Sequence, residues 1–126
     1  MVGSRPRIGI GFRTEIAADI LSGQTRVDHL ELLFEERISS KARAREGVAL
    51  GEMFPIVLHG TKLSLGSAEG IDLSRAARLG AYAKKTRAFA ITEHAAFVRA
   101  SGVEVVFARS GLCPETQRRA SAPSPP

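Results

Sequence analysis

Short apolar runs recur along the chain and alternate with longer segments that carry apolar residues at helical spacing. The runs are rich in Ile, Val, Leu and Phe and are bounded by Gly, Pro, Ser or charged residues, as is typical of buried strands. Strands are therefore predicted at 7–12, 27–34, 54–58 and 88–93. In the first of them apolar residues alternate with glycine, which predicts the close approach of another backbone at Gly9 and Gly11.

The segments between the predicted strands have helical features. Thr14 is a candidate N-cap for a first helix that ends at Gly23, and a weaker helix is predicted from Glu36 to about Gly51. Asp72 or Ser74 is the candidate N-cap of a third helix. Strict alternation of strand and helix predicts an α/β fold with a parallel sheet and right-handed crossovers. The pattern fits an open doubly wound sheet and a partial closed barrel equally well.

The C-terminal part of the chain differs in composition from the rest. Residues 97–106 resemble a small hairpin that turns at Ser101-Gly102. From Phe107 onward no helical or strand period is present, and four of the last thirteen residues are proline, which predicts a disordered tail. We therefore expect a partial β/α barrel at 5–106 and a tail at 107–126 that arose by frameshift or truncation, in preference to a Pro-rich linker.

The composition is that of a soluble globular protein, with 44% hydrophobic residues and a formal net charge of +5. The basic residues are scattered, and no aromatic residues lie among them to stack on bases, so no nucleic-acid partner is expected. Cys113 is the only cysteine, which excludes an intrachain disulfide. No signal peptide and no run long enough to cross a bilayer are evident, so we expect a cytoplasmic protein without a membrane partner.

Charged or imidazole groups lie at the end of every predicted strand. In a β/α barrel these ends converge on one face, where active sites are built. His59 and His94 lie at matching positions on neighbouring strands, so their imidazoles are candidate ligands of one metal, with iron, manganese or zinc favoured. The other groups at strand ends are Arg13, Glu31, Glu35, Glu36 and Glu93, of which Glu31 and Glu35 are the nearest candidate carboxylates.

Three other features carry weaker signals. The Gly9-Ile10-Gly11 segment lacks the third glycine of a dinucleotide loop and lies inside a strand, so a Rossmann site is rejected. His29 lies within the second predicted strand and is predicted either to pack or to face a helix. Cys113 lies in the tail without a neighbouring base, so a catalytic nucleophile is not expected there.

Four segments, at 8–13, 27–35, 57–67 and 92–97, resemble hallmark segments of the multinuclear non-haem iron-dependent oxidases. The clearest reads Val-Leu-His-Gly-Thr-Lys-Leu-Ser-Leu-Gly-Ser and contains His59. The order and spacing fit across about residues 7–105. This family was long known only as an uncharacterised protein family, and it includes the iron oxidase of methanobactin biosynthesis.

The resemblance implies a TIM barrel of the xylose-isomerase-like type with two or three iron ions at the carboxyl ends of its strands. By the same resemblance, His59 and His94 match the two histidine ligands of the first half, and later strands supply the remaining ligands. Members oxidise cysteine residues of ribosomally made peptides, usually with a partner protein that presents the peptide. One departure is that Glu35-Glu36 stands where the family has Glu-Asn.

These observations predict the N-terminal half of such a barrel, about four β/α units, in a truncated homologue that is inactive alone. A complete barrel needs about 250 residues, so most iron ligands are expected to be missing. Open sheet edges then predict self-association. Two alternatives remain open: a non-catalytic scaffold or interaction remnant, and another metal-dependent enzyme with a xylose-isomerase-like barrel.

Overall fold

The computed structural model describes residues 5–104, which form a parallel sheet with helices packed against one face. The sheet strands are β1 (Gly9–Gly11), β2 (His29–Leu33), β3 (Ile56–Gly60) and β4 (Ala90–Glu93). The helices are α1 (Ala17–Leu21), preceded by a 3-10 turn (Thr14–Ile16), α2 (Phe34–Arg37), α3 (Lys41–Met53) and α4 (Leu73–Lys85). A separate antiparallel hairpin consists of β5 (Arg99–Ala100) and β6 (Val103–Glu104).

The four sheet strands lie in sequence order, β1-β2-β3-β4, and every pair is parallel. The predicted α/β class, the parallel pairing and the adjacency of consecutive strands are therefore confirmed. The observed order also excludes, among the described strands, a sheet with the first strand in its middle. Consecutive parallel strands joined by helices are the repeating unit of β/α barrels.

Side chains alternate between the two faces of the sheet, as the pleat requires. Leu30 and Leu32 of β2 and Ile56 and Leu58 of β3 are completely buried and face the helices, where the core also contains Leu79. The opposite face carries His29, Glu31, Leu33, Val57 and His59, and Glu31 is exposed there. The helix-facing side of the sheet is therefore hydrophobic, whereas the opposite side carries both polar and apolar residues.

Several predicted boundaries were wrong. The strand β3 extends to Gly60, so His59 lies inside the strand and not beyond it. Phe34 was predicted as strand but begins α2, and its ring is fully buried in the core. The helix predicted from Glu36 is divided into α2 and α3, because the chain is extended at Ser40, whose hydroxyl caps α3 by accepting from the Arg43 N–H.

Two predicted caps and one turn have different outcomes. Thr14 does not cap the first helix, because it lies within the 3-10 turn, where Arg13 occupies the N-cap without a side-chain bond. Asp72 caps α4 by accepting from the Arg75 N–H at 3.0 Å, as predicted. The hairpin turn is confirmed, because Ser101 and Gly102 both have positive φ, 50° and 72°, as in the two-residue turns of tight hairpins.

The close approach predicted at Gly9 of strand β1 is made by a side chain and not by another backbone. A Cβ at Gly9 would collide with the imidazole of His29, which lies across the strand at this point. The same ring makes an edge-to-face contact with Phe89, with ring centroids 5.7 Å apart. His29 therefore packs on the face of the sheet away from the helices, so its packing role is confirmed and a helix-facing position is wrong. The close approach expected at Gly9 is that of the His29 ring, whereas the one expected at Gly11 is wrong, because a Cβ there meets no described atom within 4 Å.

The predicted tail at 107–126, including Cys113, lies outside the described residues, as do the last two residues of the predicted domain at 5–106. Within 5–104, no helix combines the length and apolar character needed to cross a bilayer. Large apolar side chains are exposed near the β4 edge, where Phe89 is 54% and Ile91 48% exposed.

Candidate metal centre

A cleft lies at the carboxyl ends of the first three sheet strands and extends to the residue after β4. Its volume is about 320 Å³. It is lined by Gly11, Phe12, Arg13, Glu31, Leu33, His59, Thr61 and His94. The parallel order of the strands brings these residues together, although they are spread over more than eighty positions of the chain. This is the edge at which parallel α/β sheets bind ligands.

The two histidines predicted as metal ligands lie side by side in this cleft. His59 is in β3, and His94 directly follows β4, with its backbone N–H bonded to the Gly60 carbonyl at 3.2 Å. The ring centroids are 4.8 Å apart, and the rings are inclined by 72°. Both side chains are partly exposed, so a ligand from solvent can reach them.

The Thr92 hydroxyl orients the His59 ring. Its oxygen lies 2.7 Å from His59 Nδ1. When Nδ1 carries the proton and donates to this hydroxyl, Nε2 presents its lone pair, which is the tautomer that a metal-binding histidine needs. We did not predict Thr92 from the sequence. The register of β3 and β4 pairs it with His59, so a correct alignment of the two strands reveals it.

The candidate carboxylates have different positions. Glu31 lines the cleft and is exposed. Glu35 lies beside the loop that follows β3: its Oε1 accepts from the Thr61 N–H at 3.1 Å, and its Oε2 is buried without a hydrogen-bond donor among residues 5–104. Glu36 forms ion pairs with Arg37 and Arg43 and does not line the cleft.

Glu93, at the end of β4, is a carboxyl group near the cleft with a raised pKa. One of its oxygens accepts from the His94 N–H at 3.0 Å, and the other is buried beside Gly60, where a Cβ would collide with it. Burial raises the pKa of Glu93, the hydrogen bond from His94 opposes the rise, and the charge of Glu35 adds to it. Glu35 and Glu93 therefore influence one another electrostatically near the loop that follows β3.

Within the described part of the chain, no three His, Cys, Asp or Glu side chains are arranged to hold one metal ion. Two imidazoles offer at most one donor nitrogen each, fewer than the four to six donors that iron or zinc takes in proteins. Of the two rings, that of His59 is held by the Thr92 hydroxyl.

Residues 7–108 match the family of RiPP precursor modification enzymes MbnB/TglH/ChrH, where RiPP denotes a ribosomally synthesised and post-translationally modified peptide. The chain belongs to this family. The matched residues include both histidines of the cleft and all four strands of the parallel sheet. The family resemblance inferred from the four sequence segments is thereby confirmed.

Similar proteins of this family occur in several bacteria. A UPF0276 protein of Rhizorhabdus wittichii is 32% identical over 102 residues, which are 79% of this chain and 37% of that protein. A UPF0276 protein of Acaryochloris marina is 30% identical over 94 residues, 75% of this chain and 34% of its own length. The matched part of this chain thus spans about a third of the length of these relatives.

Proposed function

We propose that His59 and His94 are iron ligands in a multinuclear iron-dependent oxidase that modifies cysteine residues of ribosomally made peptides. The observation that supports this proposal is the adjacency of the two imidazoles, 4.8 Å between ring centroids, in an open cleft at the carboxyl ends of parallel strands. Membership of a family of peptide-modifying enzymes supports the peptide as substrate.

The donor atoms of His59 and His94 are of a type that iron binds. Imidazole nitrogen suits iron among the first-row metals, and the Thr92 hydroxyl is the kind of neighbour that orients a ligating histidine. The number of donors is incomplete within residues 5–104, so the remaining ligands must come from elsewhere in the functional protein. The relatives, of which this chain matches about a third, have room for further β/α units in a TIM barrel of the xylose-isomerase-like type.

Polar residues in and beside the cleft then have defined tasks. Iron, when bound, supplies the redox chemistry by which a cysteine is oxidised. Thr92 holds the His59 ring in position, and Glu35 fixes the loop after β3 through the Thr61 N–H. Arg13 and Glu31 give the cleft wall one positive and one negative charge, with which polar groups of a bound peptide can pair.

The proposal is tested by the iron content of the chain after anaerobic reconstitution with Fe²⁺ and removal of unbound metal. We expect His59→Ala and His94→Ala to lose most of the iron that the unsubstituted chain retains. His29→Gln is the matched control, because His29 is on the same face of the sheet as His59 but does not line the cleft. Circular dichroism establishes that all four proteins have the same fold.

Equal iron in all four proteins would show that the two histidines are not ligands. Loss of iron from His29→Gln as well would show that uptake depends on the fold and not on the cleft. A peptide-presenting partner protein and self-association through the sheet edges remain predictions from the sequence.

A further inference from the structure

A second concave surface lies between α3 and α4, lined by residues of both helices and by Ile38 and Ser40. From α3 it takes Lys41, Ala44, Arg45 and Val48, and from α4 it takes Arg78, Ala81, Tyr82 and Lys85. In both helices these positions follow the i, i+3, i+4, i+7 spacing that defines one helix face. Two adjoining cavities of about 320 Å³ each occupy the space between the faces. We call this surface the α3/α4 groove.

The floor of the groove is rigid and largely apolar. The Tyr82 hydroxyl donates to the Ala44 carbonyl at 2.9 Å and ties the two helices together. Gly47 permits this approach, because a Cβ there would collide with the same hydroxyl. Gly51 lies directly against the Thr86 carbonyl in the same way. The groove is therefore formed in advance, and a ligand need not reorganise it.

The walls of the groove are cationic and carry no acidic residue. Lys41, Arg45, Arg78 and Lys85 line it, and none of the four is ion-paired with a carboxylate of residues 5–104. Arg43, on another face of α3, pairs by contrast with Glu36. Glu46, on α3, is held by the buried Arg37 at 2.5 Å. Four unneutralised cations around an apolar floor complement an acidic, partly apolar ligand.

One end of the groove is close in sequence to β2, whose residues Glu31 and Leu33 line the cleft with His59 and His94. Ser40 and Lys41, at one end of it, follow β2 after the short helix α2, so they lie towards the carboxyl ends of the strands. Val48 and Lys85 lie further along α3 and α4, which run back towards the opposite edge of the sheet. One end of the groove thus lies at the edge of the sheet at which the cleft with His59 and His94 also lies.

We propose that the α3/α4 groove binds an acidic, amphipathic segment of the peptide substrate and leaves the adjoining segment at the metal cleft. The identity of the ligand as the substrate rests on the function proposed above, whereas its acidic, amphipathic character rests on the groove alone. A nucleic acid fits less well, because the only aromatic residue of the groove, Tyr82, is 6% exposed and offers no face for stacking on a base.

The first experiment measures binding of a synthetic acidic peptide to the 126-residue chain. The peptide is an amphipathic helix of about four turns, which matches the length of α3, with Leu on one face and Glu on the other. It carries one Trp and no Cys. Because the protein has no Trp, anisotropy of the peptide Trp reports binding directly. A peptide with every Glu replaced by Gln is the neutral control.

We expect Arg45→Gln/Arg78→Gln to bind the acidic peptide about tenfold more weakly, because two exposed charge pairs are lost. Arg26→Gln/Arg87→Gln, a matched loss of two exposed positive charges outside the groove, should bind within about twofold of the unsubstituted chain. Ala81→Glu, which adds bulk and negative charge at the floor, should abolish binding. Circular dichroism of each variant verifies its fold.

Three results would overturn the proposal: equal binding of the neutral peptide, equal weakening in the two double variants, or equally tight binding of a single-stranded oligonucleotide of the same charge. Failure of the proposed metal site is distinguishable, because His59→Ala should lose iron and still bind the acidic peptide as the unsubstituted chain does. In turn, Arg45→Gln/Arg78→Gln should lose peptide binding and keep its iron.

The second experiment tests the assignment to the substrate. The acidic peptide is extended at either end by a short flexible segment that carries a photoreactive group. We expect one of the two extended peptides to cross-link to residues that line the metal cleft, such as Glu31, Leu33 or Thr61. Cross-links confined to surfaces away from the cleft, from both peptides, would show that the groove binds something other than the substrate.

Discussion

Replacing Gly47 of α3 by alanine sets local helix preference against tertiary packing. Alanine is about 1 kcal/mol more favourable than glycine in a helix interior, so the local term predicts stabilisation. In the folded protein, however, an added Cβ would collide with the Tyr82 hydroxyl and would lie 3.2 Å from Cδ of the buried Arg37. The Tyr82 ring is 6% exposed and packs 6.1 Å from Phe34, so it has little room to move.

The sizes of these opposing terms determine whether Gly47→Ala raises or lowers the stability of the protein. Displacing the Tyr82 hydroxyl breaks its bond to the Ala44 carbonyl, at a cost of about 1 kcal/mol, and overpacking adds roughly 1–3 kcal/mol. Subtracting the gain of about 1 kcal/mol in helix preference leaves a net loss of about 1–3 kcal/mol for Gly47→Ala. For a domain of this size that loss corresponds to a fall in Tm of roughly 4–20 °C.

Gly80→Ala in α4 is the matched control, because a Cβ at Gly80 meets no atom within 4 Å. There the helix preference acts alone, and we expect stabilisation of up to about 1 kcal/mol. Urea unfolding followed by circular dichroism measures both changes. In a Tyr82→Phe background, which removes the colliding hydroxyl, the cost of Gly47→Ala should decrease. Stabilisation by Gly47→Ala, or an unchanged cost in that background, would refute the packing argument.

Two further predictions concern the metal cleft and the start of α4. Thr92→Val should weaken Fe²⁺ binding about tenfold and Thr92→Ser should restore it, because only the hydroxyl orients His59; equal affinities in metal titrations would contradict this. The pKa of Asp72 is lowered chiefly by the Arg75 N–H, so its stabilisation is complete above its unfolded value of 3.8 and declines as the pH falls. The stability of Asp72→Asn relative to the unsubstituted chain should therefore rise on acidification below pH 3.8; a constant difference in urea midpoints would contradict this.

Much of the fold could be predicted from local pattern. Apolar runs such as 54–58 indicated the strands, and the strict alternation with helices required parallel pairing. Asp72 as an N-cap and Ser101-Gly102 as a turn were also readable, because each acts on its own backbone within a few residues. His59 and His94 could be predicted as neighbours because the carboxyl ends of adjacent parallel strands lie at one edge of the sheet. Their predicted matching positions were wrong, since the register pairs His59 with Thr92 and His94 lies two residues further along.

Other features depend on contacts between residues far apart in sequence, and only the tertiary structure determined them. Thr92 meets His59 because the register of β3 and β4 aligns them. In the sequence, Gly47 is a residue with low helix preference inside a helix. In the structure, its lack of a side chain leaves room for the Tyr82 hydroxyl. Local pattern determines which segments are strands and helices, whereas the fit between packed elements determines where each ends and which side chains meet.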